Sequence, residues 1–162
     1  MPMQLYISDA NIFIDLDVCD LLSKMFDLPY TFAVPDVLYM EELEEQHGDL
    51  PGYGLQIRKL STESITFAIE LAERYSGPSF NDLFAFILAK QEACPLITGD
   101  LQLRKLAEEE GIELRGTIWI VEQMIEAGIV NCDEAQTAFD IMKRQDRRLP
   151  WDKAGEMIGK MR

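Results

Sequence analysis

Residues 4–16, QLYISDANIFIDL, limit the fold more than any other stretch, because an apolar strand signal passes straight into a helix signal with a carboxylate at the junction. Leu5, Tyr6 and Ile7 are bulky or β-branched and suit a buried strand over Gln4–Ser8. Ile12 and Leu16 stand four apart on one helical face, with Ser8 or Asn11 available as the cap, so strand, sharp turn, helix is the simplest reading. Asp9 then falls at the carboxyl end of the strand, where open α/β sheets bind ligands. A plain turn or capping role explains an Asp at this place as well.

Further along, strand and helix signals alternate. A helical stretch runs on to about residue 26, and residues 30–34 form a second short strand closed by Pro35, which fits the first turn of a new helix. Val37, Leu38, Glu41 and Glu45 share or adjoin one face of that helix, which turns Glu41 inward. Rotation by one residue presents Glu42 instead, and an acidic surface helix accounts for both without chemistry. Residues 47–54, HGDLPGYG, read as a loop that contains the single histidine, His47. Residues 55–60 make a third strand near a sheet edge.

A helix over residues 61–74 follows, with Ile65, Ala68, Ile69 and Ala72 as its apolar face. The next helix, over residues 79–90, is apolar around much of its circumference and opens with a capping box of Ser79 and Asp82. Residues 95–98 are a strand ended by Gly99 and Asp100, and Asp100 caps a helix over residues 101–110. A brief strand at 112–114 precedes a helix capped by Thr117 that carries Ile118, Val121, Met124 and Ile125 and stops at Gly128. Asp133 with Gln136 reads as a further capping box, and Pro150 starts the last helix. Residues 1–130 thus make the main domain, and residues 131–162 a C-terminal helical extension packed on it.

A chain of 162 residues, 48% of them hydrophobic, is long enough for one domain with a substantial core. No apolar run reaches the roughly 18 residues needed to cross a bilayer, and the N-terminus lacks a signal-like segment, so a cytoplasmic protein is expected. Cys19, Cys94 and Cys132 are odd in number and in no metal-ligand pattern, which predicts reduced thiols. The net charge of −14 weighs against a polyanionic partner, but its distribution is uneven. Residues 143–162 carry seven Lys or Arg against three acids, +4 net, which leaves −18 on the other 142 residues. A polyanion can meet the basic end while cations neutralise an acidic pocket, although a solvated charged helix explains the same residues.

Asp9, Glu41, Asp82 and Asp100 each stand at a strand end or in a first helical turn of an alternating βα chain, so all four can meet on one rim of a parallel sheet. Close carboxylates repel, and Mg²⁺ or Mn²⁺ relieves the repulsion because both prefer oxygen ligands. Such ions bind a phosphodiester, activate water and steady the leaving oxygen. The sequence has no glycine-rich phosphate loop, Walker lysine or serine-nucleophile elbow, which lowers the case for kinases, GTPases and serine hydrolases.

These segments carry a resemblance. The chain resembles the PIN-domain ribonucleases, including the toxins of toxin–antitoxin pairs. In SDANIFIDL, Asp9 corresponds to the first metal-binding acid and Asn11 to the small polar residue behind it; in VPDVLYMEEL, Glu41 matches the second acid with Glu42 as the near alternative. Asp82 in SFNDLFAFILAK matches the third and Asp100 in CPLITGDLQLRKLAEEEGI the fourth. ELRGTIWIVEQMIEAGIV also resembles a branch in which a Gly-Thr turn precedes a helix and a helical extension.

The resemblance implies a three-layer α/β fold with a central, mostly parallel five-stranded sheet flanked by helices. It further implies a Mg²⁺- or Mn²⁺-dependent endoribonuclease acting on RNA, a homodimer, and an antitoxin partner. Self-association is expected through the helix bearing Ile118, Val121, Met124 and Ile125, whose apolar circumference exceeds what one side of a small sheet needs. Two other classes stand beside the nuclease. One is a catalytically silent PIN-like binding or assembly module. The other is an α/β phosphatase, whose Asp-x-Asp nucleophile pattern is missing because Asn11 holds the later position.

Overall fold

The computed structural model describes residues 3–162. The chain runs β1 (Gln4–Ser8), α1 (Ala10–Asp17), α2 (Leu22–Met25), β2 (Tyr30–Pro35) and α3 (Asp36–Leu38), then a π-helical turn (Tyr39–Leu43) leading into α4 (Glu44–His47) and α5 (Leu50–Tyr53). β3 (Gln56–Arg58), α6 (Thr62–Arg74), α7 (Phe80–Glu92), β4 (Leu96–Ile97), α8 (Leu101–Glu109) and β5 (Leu114–Arg115) complete the sheet, and α9 (Thr117–Glu126), α10 (Cys132–Arg144) and α11 (Trp151–Met161) follow. The five strands lie in the order β3-β2-β1-β4-β5, and every pairing is parallel. The expected α/β architecture, a five-stranded parallel sheet flanked by helices, is therefore present.

That order places a topological switch between β1 and β4, since the chain builds outward from β1 to one side and then crosses to build the other. At such a point the connections leave in opposite directions and open a crevice beyond the strand ends. The centre of the sheet is held by burial on both faces. Ile7, Phe32, Ala33, Leu96 and Ile97 are all solvent-inaccessible or nearly so. α7 lies across β1, β2 and β4 with α6 stacked against it, which explains why Leu83, Ala85, Phe86, Ile87, Leu88 and Ala89 are all buried. On β1 Tyr6 meets Trp119 of α9 at a ring-centroid distance of 4.8 Å, and α9 packs against α1, α2, α10 and α11.

Several local expectations are corrected. The first helix does not reach residue 26: Asp20 adopts a left-handed conformation, φ 60°, and separates α1 from α2. Residues 47–54 are not an open loop, because His47 is buried at the end of α4, its Nδ1 3.8 Å from Asp17 Oδ2, and residues 50–53 form the turn α5. On α6 the buried positions are Ala68 and Leu71, and Ile65 and Ile69 face solvent. The last strand falls at Leu114–Arg115, not at 112–114.

α9 is capped by Gly116, and Thr117 is its first helical residue. Val121 and Met124 of that helix are fully buried within the chain, and Ile118 and Ile125 pack against the same core. The surface expected to drive self-association is thus largely spent on intramolecular packing.

The capping box of α10 uses Asn131 and Glu134, each side chain receiving the other's backbone N–H, at 2.8 and 3.0 Å. Two overlapping patterns, Asn131-x-x-Glu134 and Asp133-x-x-Gln136, compete in this stretch. Asn131 wins because Val130, just before it, is buried in the core and sets where the chain turns. Asn131→Ala is expected to cost about 1 kcal/mol in chemical denaturation, whereas Gln136→Ala, outside the box, is expected to change stability by less than about 0.5 kcal/mol. Equal losses from the two would place the cap at Asp133 after all.

Candidate active site at the switch point

Asp9 follows the last residue of β1 and caps α1, accepting from Ile12 N–H at 3.3 Å. Its other carboxylate oxygen accepts a short hydrogen bond from the Thr98 hydroxyl. The β1–β4 register makes this meeting unavoidable: Ser8 lies beside Ile97, and Asp9 N–H donates to Ile97 O at 3.1 Å, so the next residue of each strand emerges at the same place. Thr98 Oγ1 in turn accepts from Asp100 N–H at 3.1 Å, and Asp100 caps α8 by accepting from Leu103 N–H at 2.8 Å. One threonine therefore ties the two acids across the switch. Arg104 supports it from behind, donating to Thr98 O at 2.7 Å and to Arg115 O at 3.3 Å.

The other two acids arrive from the opposite side. Asp82 lies in the first turn of α7, where its Oδ2 accepts from Ser79 N–H at 3.2 Å in the expected capping box. Its neighbour Asn81 donates to Glu41 Oε2 at 2.8 Å and so ties the helix after β2 to the start of α7. Glu41 and Glu42 both sit in the π-helical turn, a distortion found often at functional sites. The inward positions of that segment are Leu38, Tyr39, Leu43 and His47, so Glu41 does not look into the core as expected. Both glutamates lie on the exposed side, next to α7.

The electrostatics join the two groups. Burial pushes the Asp9 carboxyl up from its ordinary 3.8 to about 7; the Thr98 and Ile12 hydrogen bonds oppose the rise, and the charges of Asp82 and Asp15 add to it. Desolvation of its protein-facing side also raises Glu42, with Asp82 the next cause, while Asn81 pulls the other way. Asp82 is thus felt at both Asp9 and Glu42. No Lys or Arg forms an ion pair with any of these acids among the described residues.

Asp9 and Asp100 cap α1 and α8, Asp82 stands in the first turn of α7, and Glu41 and Glu42 lie in the π-helical turn that Asn81 ties to α7. Among the described residues no three His, Cys, Asp or Glu side chains are gathered as a metal cage, and each aspartate has one oxygen on a backbone N–H. The donor chemistry nonetheless suits a hard divalent ion: all the groups are oxygens, Asp82 and Asp100 each keep one carboxylate oxygen out of the cap, and the buried Asp9 charge has no protein cation to balance it.

Sequence reading did not find Thr98, Asn81, Asp15 or Arg147. Behind Asp9, the buried Asp15 accepts from Thr117 Oγ1 at 2.7 Å and from Arg147 Nε at 2.7 Å, and Arg147 also reaches Asn11 Oδ1 at 3.3 Å. Only Ser8-Asp9 and Thr98-x-Asp100, two polar pairs closing two apolar strands, hinted at a shared partner.

The sequence matches, over residues 5–162, the family model described as DUF3368: PIN domain. No curated protein matches it. Among solved structures, a PilT N-terminus domain protein from the hyperthermophilic archaeon Sulfolobus solfataricus P2 shares the fold, with TM-score 0.50 and 11% identity over 72% of this chain and 90% of that one. VapBC2 from Rickettsia felis, solved with a DNA fragment from its promoter, aligns with TM-score 0.46 and 18% identity over 70% of this chain and 98% of that one.

Proposed function

The chain belongs to the PIN-domain family, and from that premise we propose that it is a divalent-metal-dependent endoribonuclease hydrolysing phosphodiester bonds of RNA. The observation that carries the reading is the buried Asp9 at the switch point, linked through Thr98 to Asp100 and sensing Asp82. Asp9, Asp82, Asp100 and one of Glu41 and Glu42 would hold Mg²⁺ or Mn²⁺. When bound, such ions supply an activated water and charge stabilisation for the leaving oxygen. The protein's own part is positioning. Thr98 fixes the Asp9 carboxylate, the α7 and α8 caps hold Asp82 and Asp100 at the rim, and Asn81 orients Glu41.

The biological setting proposed is the toxin of a toxin–antitoxin pair, with RNA as substrate, an antitoxin as protein partner, and residues 131–162 bracing the domain from behind. A homodimer belongs to the same reading, but it needs a surface other than the α9 face. Sedimentation at micromolar concentration distinguishes a dimer from the 18.5 kDa chain.

A second reading, a catalytically silent PIN-like binding module, draws on the completeness of the caps, which give Asp82 and Asp100 a full structural role without metal. Asp82→Asn and Asp100→Asn separate the two. Asn also accepts at a helix N-terminus, so both variants are expected to fold, with stability in chelator unchanged or slightly raised by relief of like charge. Cleavage of a mixed single-stranded RNA in Mn²⁺ is expected to fall by on the order of 10²-fold or more, since changes even to outer-shell partners of metal sites cost roughly 10–100-fold. Unchanged metal affinity and cleavage in both variants would remove the proposed site.

A further inference from the structure

Beside the acidic rim lies an open cleft of about 380 Å³, lined by Arg74, Tyr75, Gly77, Pro78, Gln102 and Lys105 among others. It is bounded by the turn between α6 and α7 on one side and by the outer face of α8 on the other. The two walls lead into the acids. Residues 76–78 run directly into Ser79, the cap of the helix that carries Asp82, and Gln102 and Lys105 follow Asp100 on α8. The walls meet where the Gln102 side chain covers Gly77; a Cβ on Gly77 would overlap Gln102 Oε1.

In a chain of net charge −14, this cleft gathers two cations, Arg74 and Lys105, and neither has an ion-pair partner among the described residues. The acid in the cleft, Glu109, accepts from Tyr75 Oη at 3.4 Å instead. Two uncovered apolar side chains stand next to the acids along the chain. Phe80, 54% exposed, and Leu101, 82% exposed, are the first residues of α7 and α8, in the same turns as Asp82 and Asp100. Phe80 is braced by Phe84, ring centroids 6.0 Å apart, which holds one aromatic face at the surface. Lys105 lies about 7.5 Å along α8 from Asp100 at the helical rise per residue, a reach covered by one or two nucleotides of an extended strand.

Unpaired cations for the backbone and an exposed aromatic for a base are the two elements of single-strand recognition. We propose that this cleft is a phosphate subsite for single-stranded RNA leaving the acidic rim, with Arg74 and Lys105 neutralising backbone phosphates and Phe80 stacking a base. The choice of RNA rests on the nuclease reading; the binding site itself does not. It also gives a polyanion a route to an acidic centre, because the strand is held by cations one step away from the carboxylates that repel it.

The test is binding of a fluorescently labelled single-stranded RNA to the full chain in EDTA, read by anisotropy across a salt series. Arg74→Ala/Lys105→Ala is expected to flatten the slope of log K against log salt by about 1.4, from about 0.7 per phosphate contact on a single strand. Phe80→Ala is expected to weaken binding roughly tenfold at every salt concentration. Lys143→Ala/Arg144→Ala, in the basic C-terminal region, is expected to leave the slope unchanged. All substituted residues are exposed, and circular dichroism checks that each variant is folded. An unchanged slope in the cleft variant, or a parent that does not bind RNA, overturns the subsite. If the slope is unchanged while the parent cleaves RNA in Mn²⁺, the nuclease reading stands and the subsite falls; if the slope drops and no cleavage occurs, the reverse holds.

Discussion

Asp9→Asn is expected to stabilise the metal-free protein at pH 8 by up to roughly 4 kcal/mol and to flatten its stability profile between pH 4 and pH 8. The sign follows from burial. In the folded chain the Asp9 carboxyl is pushed up to about 7, whereas in the unfolded chain it titrates near 3.9. Below about pH 4 both states hold the proton and Asp9 costs nothing. As pH rises the unfolded chain ionises first, the folded chain must follow against burial and the charge of Asp82, and stability is lost until the folded group has titrated at about 7. Asn cannot ionise, and it can still accept from Ile12 N–H and meet the Thr98 hydroxyl. Urea unfolding in EDTA at pH 5 and pH 8 measures the effect as the difference between parent and variant, which cancels the contributions of Asp15 and Glu42 common to both. Mg²⁺ or Mn²⁺ is expected to recover the lost stability of the parent and to leave the variant unchanged. A parent as stable as the variant at pH 8 in EDTA would show that Asp9 carries no buried charge.

The features found from sequence are those written within a few residues. Asp9 follows an apolar strand run, and Ser79 with Asp82 is an i,i+3 pair, so both could be placed without a partner element. Where two local patterns overlapped, at 131–136, the choice fell to Val130 and the core, which no local rule contains. α6 failed for the same reason: Ile65 and Ile69 are as apolar as Leu71, and only the position of α7 decides that Leu71 goes inward. The π-helical turn has no sequence signal, so regular α spacing turns Glu41 inward where the chain does not. The partners that define the site were beyond reach. Thr98 is 89 residues from Asp9, Thr117 is 102 from Asp15, and Arg147 is 132 from Asp15. Such pairs become visible only when the sheet order brings β1 beside β4 and α9 over α1.

Arg147→Met is expected to destabilise the protein by about 3 kcal/mol, the low end for loss of one member of a buried ion pair. The low end applies because the Arg147 side chain keeps 24% of its exposure, whereas that of Asp15 keeps only 10%. Burial already raises the Asp15 carboxyl, with Arg147 and Thr117 pulling it back. Without Arg147 only the Thr117 hydroxyl opposes burial, and the carboxyl rises further. The cost of the substitution is therefore expected to grow with rising pH, because a raised folded-state group loses stability as pH rises through it. Arg147→Met with Asp15→Leu is expected to recover only part of the loss, since the unpaired charge is removed but the buried Thr117 hydroxyl loses its acceptor. The position of the pair gives the result a functional arm. Asp15 and Asn11 are on α1, whose cap is Asp9, so the loop between α10 and α11 holds the first acid's helix from behind. If that hold matters for the rim, Arg147→Lys, which keeps the charge but loses the forked contact to Asn11, is expected to retain most stability and lower RNA cleavage in Mn²⁺. Equal stability and equal cleavage in Arg147→Met and the parent would show that the loop merely rests on α1.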